Sequence, residues 1–319
     1  MAMHRTSLPR SAEGVPWEGL ALAVDGPARP PLRFEVADGR RMVLFQGEQV
    51  VLLARQRVTH FGVHYARTGR YASPLPPLRA GLARTYREAC PDDDGAWFAR
   101  WAHHFAGELR GSLNGPLHEG SWNLRPGMSA YAIDAFWESL WHDPDRGHIA
   151  WFSGSPPEDS RDVLPLRPLS DPDAARVKAY RRQYREGVLP PVLLWGNSAL
   201  DCSVVLDGHD RLLAALAEGG RPPVLRLNRE HQVEQPTASA QRPIRAYEER
   251  IAHLQRQRSA GEPLASSRIA NEGRRLAKEL HELFSVAHLT RSWPVPGGAD
   301  AWDALVAEHA PGWHPDTEN

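Results

Sequence analysis

Apolar positions along this chain recur with two periods, alternation that predicts strands and a spacing of three to four that predicts helices. Phe34 and Val36 alternate with polar neighbours, Asp38-Gly39 supplies a tight turn, and Met42 to Phe45 return, which predicts a hairpin. Gln46-Gly47-Glu48 then lead into Val50 to Leu53, and a further strand-like stretch runs from Phe61 to Tyr65 and ends near Gly69. Together these segments predict a small antiparallel sheet. Trp97, Trp101 and Phe105 fall four residues apart, with Phe98 and Leu109 beside them, and form the apolar stripe of a helix. Helical spacing alone predicts burial, so these aromatics read as core. Ser129 is placed to cap a second helix that carries Ile133, Phe136, Trp137, Leu140 and Trp141. A strand over Ile149 to Phe152 ends at Ser153-Gly154-Ser155-Pro156-Pro157, the expected domain boundary.

Beyond that linker the pattern changes. Leu164 to Leu166 read as a strand, and Asp171-Pro172 as a cap followed by proline in the first helical turn. The helix, expected from Asp171 to Glu186, carries Val177, Tyr180 and Tyr184 on one side. Arg176, Lys178, Arg181, Arg182 and Arg185 occupy the rest, as a solvated face or as a positive rim beside an anion site. Strands follow over Leu189 to Leu194 and Val224 to Leu227, then a polar linker to Gln241. Ile244, Tyr247, Ile251 and Leu254 predict one helix, and Ile269, Leu276, Leu280, Leu283 and Phe284 another. Trp302, Leu305 and Val306 predict a last short one. The expected class is α+β. Residues 1–30, rich in Pro, Gly and Ala, read as a flexible arm, 31–155 as a mixed domain of antiparallel sheet and helices, 160–230 as an α/β domain, and 242–310 as a helical C-terminal segment.

Between two of these strands lies the stretch that carries chemistry. Val204-Val205-Leu206 stop at Asp207-Gly208, and from His209 an amphipathic helix begins, with Leu212, Leu213, Ala215 and Leu216 at helical spacing and Gly219-Gly220 at its end. Gly208 permits a tight turn and close approach of a ligand to the backbone. Unpaired N–H groups and the positive end of the helix dipole favour an anion at such a corner. Arg211 would add a fork of donors suited to phosphate. Many strand–glycine–helix turns bind nothing, and Asp207 then serves only as a cap.

The turn resembles that of the ParB/sulfiredoxin-like superfamily, where an Asp-Gly-His-His-Arg or related turn cradles nucleotide phosphates. The resemblance spans about Leu164 to Arg229 and includes the order of strands and helices around Asp207-Gly208-His209-Asp210-Arg211. Sulfiredoxins carry a cysteine after the glycine, where this chain has His209, so their thiol chemistry is not implied. ParB proteins that bind CTP have a Gly-Glu-Arg-Arg turn and a following DNA-reading helix pair, which is not evident here. Free serine kinases carry the most similar turn. That likeness implies Asp207 as an acidic catalytic residue, Gly208, His209, Asp210 and Arg211 as the nucleotide-binding turn, and ATP, ADP or CTP with Mg²⁺ as cofactors. Two positions depart from the kinase pattern: Asp210 stands for the second histidine, and Arg167-Pro168-Leu169-Ser170-Asp171 contains no glutamate. The implied function is nucleotide binding, with Mg²⁺-dependent phosphotransfer or NTP hydrolysis as the enzymatic form. A non-catalytic interaction module that meets a protein partner through the N-terminal domain is the alternative, and a ParB-like DNA clamp the third.

Composition narrows these choices. With 38 basic and 39 acidic residues there is no global field favouring nucleic acid or membrane. Two cysteines, Cys90 and Cys202, supply neither a zinc spacing nor a disulfide framework. His60 and His64 share one face of a strand but make only two ligands, so a surface pair is expected and no metal site is assigned. The first residues do not resemble a signal peptide and no run reaches membrane-spanning length, so a cytoplasmic protein is the expectation.

Overall fold

Strands of the first and last residues meet those of the middle. The computed structural model describes residues 1–8, 17–57 apart from 39, 62–127 apart from 80, 140–150 apart from 143, 163–230, 237–259, five positions between 268 and 276, and 289–315. In chain order the strands are β1 (Ala2–Ser7), β2 (Leu20–Asp25), β3 (Leu32–Ala37), β4 (Arg41–Gln46), β5 (Gln49–Arg57), β6 (Gly62–Arg67), β7 (Gly120–Pro126), β8 (Arg146–Ala150), β9 (Val163–Pro165), β10 (Val192–Asn197), β11 (Cys202–Asp207), β12 (Val224–Glu230) and β13 (Ser292–Pro294). The helices are α1 (Leu82–Glu88), α2 (Asp94–Gly111), α3 (Ala175–Arg185), α4 (His209–Ala217), α5 (Thr237–Ser259) and α6 (Gly298–His309). Two mixed sheets and these helices make an α+β fold, as the alternation of periods predicted.

One sheet has the order β1-β2-β7-β12-β10-β11-β9 and the other β13-β3-β4-β5-β6-β8. Side chains alternate across each strand, which explains how the layers stack. In β10 and β11, Leu193, Trp195, Val204 and Leu206 enter the core shared with the second sheet, while Val192, Leu194 and Val205 turn the other way toward Leu212 and Leu216 of α4. In the second sheet, Phe34, Met42 and Leu44 face that shared core, whereas Val43, Val50 and Leu53 meet Trp302 of α6 and Trp313. Phe34 and Trp195 pack ring to ring across the shared core, 5.9 Å between centroids. Both faces of these strands are covered, so Val204-Val205-Leu206 reads as a continuous apolar run. The stripe of α2 buries Trp97, Trp101, Phe105 and Leu109 in the same core.

Several expectations are corrected. Residues 1–30 are not an arm throughout: β1 pairs with β2, and β2 with β7, with Leu20, Leu22 and Val24 buried. The seven-stranded sheet takes β7 from the expected N-terminal domain and β9 to β12 from the expected central one, so the two share a sheet instead of being separate domains. The predicted linker 153–157 and most of the helix predicted over 129–141 lie outside the described residues. So does most of the helix predicted over 269–284, and so does His60. Asp171 is not a helix cap. Its side chain accepts from the Asp173 N–H at 2.7 Å in a turn, and α3 begins only after Ala174. His64 is buried, 8% exposed, and stacks on His148 of the adjacent strand. The amphipathic helix expected from His209 is instead buried on every side from His209 to Leu216.

The chain divides into two units, Met1–Arg229 with Thr290–Asn319, and Glu230–Leu289. The expected helical C-terminal segment is therefore split. α5 belongs to the second unit, where Arg250 pairs with Glu272 at 2.7 Å, whereas β13 pairs in parallel with β3 and α6 covers β3 to β5 in the first. Where the chain re-enters the first unit, Ser198 and Thr290 exchange two hydrogen bonds, Ser198 N–H to Thr290 Oγ1 at 3.1 Å and Thr290 N–H to Ser198 Oγ at 2.9 Å.

Candidate functional site

The turn from β11 into α4 is built around one glycine. Gly208 has φ of 100°, in the left-handed region, and a Cβ there would lie 2.8 Å from Nη2 of Arg211. Both the backbone and the guanidinium beneath it therefore require glycine. Leu212 N–H donates to the Gly208 carbonyl at 2.8 Å and closes the first helical turn. No side chain caps the helix, so the alternative reading of Asp207 as only a cap does not hold. The N–H groups of the first turn lack intrahelical acceptors, as at any helix start.

Asp207 and Arg211 are tied to each other. Arg211 Nη2 donates to Asp207 Oδ2 at 2.7 Å and to the Pro191 carbonyl at 3.0 Å. Arg211 is 2% exposed, so this guanidinium is committed to the fold and not extended toward a ligand as the sequence suggested. The other carboxylate oxygen of Asp207 accepts from Ser73 Oγ at 2.7 Å. Ser73 lies 134 positions earlier, on an exposed strap, and nothing local in the sequence links it to the turn.

Asp210 also has partners that the sequence did not suggest. It accepts from Ser170 Oγ at 2.7 Å and from Arg167 at 3.1 Å, and Arg176 lies 3.3 Å from its second oxygen. Burial raises the carboxyl's pKa, but the Ser170 hydrogen bond and the Arg167 and Arg176 charges overcome that and leave it below the usual value. The segment 167–171, which has no glutamate, thus supplies an arginine and a serine. Three guanidinium groups, of Arg167, Arg176 and Arg211, offset the repulsion between the Asp207 and Asp210 carboxylates.

His209 sits between these pairs, 3% exposed and stacked near Tyr71 at 5.8 Å between centroids. Burial pushes its pKa well below the ordinary histidine value, and the charges of Arg167, Arg67 and Arg211 push the same way. It is a neutral imidazole at neutral pH. Its Nε2 is buried without a hydrogen-bond partner, which is costly unless a ligand or water supplies one. Tyr71 donates its hydroxyl to the Leu206 carbonyl at 2.7 Å, so its ring is fixed beside the imidazole.

These groups line a cavity of about 180 Å³ at the amino end of α4, floored by Asp207 to Arg211 and walled by Ser73, Arg167 and Arg176. The arrangement can receive an anion: two partly exposed arginines, a neutral imidazole and helix N–H groups converge there. The remaining cations of α3 are spent elsewhere. Arg181 and Arg185 pair with Glu218, Arg182 with Glu186 and Lys178 with Asp173, which leaves Arg176 as the cation of α3 that enters the site, beside Tyr180. Among the described residues no group of three or more His, Cys, Asp or Glu could hold a metal ion. No helix among them is long and apolar enough to cross a membrane. Comparison of the chain with protein-family models, curated proteins and solved structures gives no match.

Proposed function

We propose that this chain binds the phosphate end of a nucleotide in the cavity between Arg167, Arg176 and the first turn of α4. The observation that carries the reading is His209: a fully buried, neutral imidazole whose Nε2 has no partner and which lines a cavity with a net positive wall. Phosphate oxygen accepts from N–H groups, so a His209 tautomer protonated at Nε2 would donate to it, as would Arg167, Arg176 and the helix amides. With His209 neutral, three guanidinium groups face two carboxylates, an excess of one positive charge that a phosphoryl group neutralises. The volume supports the same choice. At about 30 Å³ per water in the liquid, the cavity holds roughly six, well short of a pocket that encloses a drug-sized ligand. Phosphates fit inside, and the sugar and base would reach outward past the exposed Arg176.

The resemblance of the turn to ParB/sulfiredoxin-like nucleotide sites supports this reading through Asp207, Gly208 and His209. Arg211 enters it as the residue that orients Asp207. Mg²⁺ fits only as a companion of the phosphates, held by phosphate oxygens and water, because the two Asp207 oxygens are engaged by Ser73 and Arg211.

Titration calorimetry of the full chain with ATP, ADP, CTP and pyrophosphate, each with and without Mg²⁺, tests the reading. Arg176 is the informative variant because its side chain is 59% exposed and its loss leaves the core intact. Arg176→Ala is expected to weaken binding by about 1.5–3 kcal/mol, the scale of hydrogen bonds to charged groups. Equal affinity in wild type and variant, or no binding of any of the four, overturns the assignment.

A further inference from the structure

We propose that Ser73 is a phosphorylation site of this chain's own making, the acceptor of the terminal phosphoryl group of a nucleoside triphosphate bound in the same cavity; this rests on the nucleotide reading above. Ser73 is exposed, lines the cavity, and donates its hydroxyl to Asp207 Oδ1 at 2.7 Å. A serine hydroxyl that already donates to a carboxylate beside a phosphate site has the arrangement a phosphoryl acceptor needs, with a base positioned to take its proton.

The bland alternative is that this hydrogen bond merely ties a surface strap to the turn. The strap does not need it. Gln46 grips Ala72 from both sides, its Nε2 donating to the Ala72 carbonyl at 2.9 Å and its Oε1 accepting the Ala72 N–H at 3.0 Å. Tyr71 is anchored to the Leu206 carbonyl, and Pro74, Pro76 and Pro77 limit the backbone beyond. Ser73 is thus held over Asp207 by its neighbours, and its oxygen also accepts the Leu75 N–H at 3.2 Å, which helps aim the hydroxyl proton at Asp207. Such fixed placement is what phosphoryl transfer requires, because nearly all of its catalysis is positioning and charge stabilisation. A second feature points to the ligand independently: the unpartnered Nε2 of buried His209 lies in the wall of the same cavity.

Ser73 Oγ attacks the terminal phosphorus and forms an O–P bond as the bond from that phosphorus to the bridging oxygen breaks. The electron pair of the broken bond leaves on the nucleoside diphosphate, and the Ser73 proton passes to Asp207. Arg167 and Arg176 face the charge that develops on the transferred group. Arg211, bonded to Asp207 Oδ2, keeps the carboxylate aimed so that Oδ1 meets the hydroxyl.

The test is to incubate the purified full chain with ATP and Mg²⁺, follow its intact mass and locate any phosphate by fragmentation, while calorimetry reports ATP binding. One phosphate on Ser73 is expected, at a rate per molecule independent of protein concentration. Ser73→Ala should gain none and melt close to wild type, Ser73→Thr should regain the modification, and Asp207→Asn should slow it by about 100-fold or more, the scale of general-base catalysis. Binding of ATP without incorporation overturns this inference and leaves the nucleotide reading standing. Phosphate that persists in Ser73→Ala also overturns it. Absence of ATP binding in the wild type overturns the nucleotide reading and this inference with it.

Discussion

Arg211 donates from a single nitrogen to the Asp207 carboxylate and the Pro191 carbonyl, and its side chain is only 3% exposed. Removing it leaves Asp207, itself 15% exposed, without its cationic partner beside an emptied space. Breaking a buried pair from one side costs about 3–5 kcal/mol, so Arg211→Ala is expected to lose stability on that scale in urea denaturation, and Arg176→Ala within about 0.5 kcal/mol of wild type. Similar midpoints for both variants would contradict the division of labour between the two arginines. Histidines govern the acid side. His118 has its pKa pushed down to about 4, chiefly by burial between Trp122 and Trp293, and His209 is pushed well down by burial too. Below the unfolded value near 6.5 the unfolded chain takes up protons that the folded chain refuses, so stability falls as pH drops from 6.5 toward 4. Asp210 works the same way at lower pH, because its folded pKa lies below the ordinary 3.8 and its contribution is lost as pH falls through that folded value. Thermal melts between pH 7 and 4 are expected to show this decline, and His118→Gln to flatten it. An equally steep slope in that variant would remove His118 as a cause.

At the scale of elements, strongly periodic segments were legible and paired edges were not. The Trp97–Trp101–Phe105 stripe gave α2, the Trp302–Leu305–Val306 spacing gave α6, and Gly219-Gly220 ended α4 with the Gly220 N–H bonded back to Ala215. β2 carried its signal in Leu20, Leu22 and Val24, but the Pro, Gly and Ala around it outweighed six residues of alternation. β1 had no such signal, since its residues are mostly exposed at a sheet edge and are held by backbone pairing with β2. The site divided along the same line. Asp207, Gly208, His209 and Asp210 stood together in sequence and Arg176 was among the cations read as a rim beside an anion site, whereas Ser73 and Arg167 reach the cavity, and Ser170 reaches Asp210, through long-range packing that no local pattern encodes. The place of β2 has a direct check. A chain lacking residues 1–25 loses the buried Leu20, Leu22 and Val24 and bares the edge of β7, so it is expected to melt well below the full chain or fail to fold. An unchanged melting temperature would contradict the pairing of β2 with β7.

For the whole molecule, the two sheets share one core, so the cavity at α4 depends on residues from both. Gln46 of β4 grips the strap that carries Ser73, and Arg67 of β6 donates to the Pro165 carbonyl of β9 at 3.0 Å. The paired Ser198 and Thr290 have a different consequence. The chain departs from the first unit after Arg229 and returns at Thr290, and Arg229 and Arg291 line the same small cleft beside His118 and Trp122. Exit and entry are neighbours, which makes Glu230–Leu289 a cassette carried by a host that closes without it. Its replacement by a short Gly/Ser linker is expected to preserve melting temperature and nucleotide affinity, measured by calorimetry on both proteins. Loss of either would mean that the host needs its passenger. Retention of both would open the junction to transplantation: a gene could shed this cassette, trade it for another or acquire it anew without disturbing the site that His209 lines.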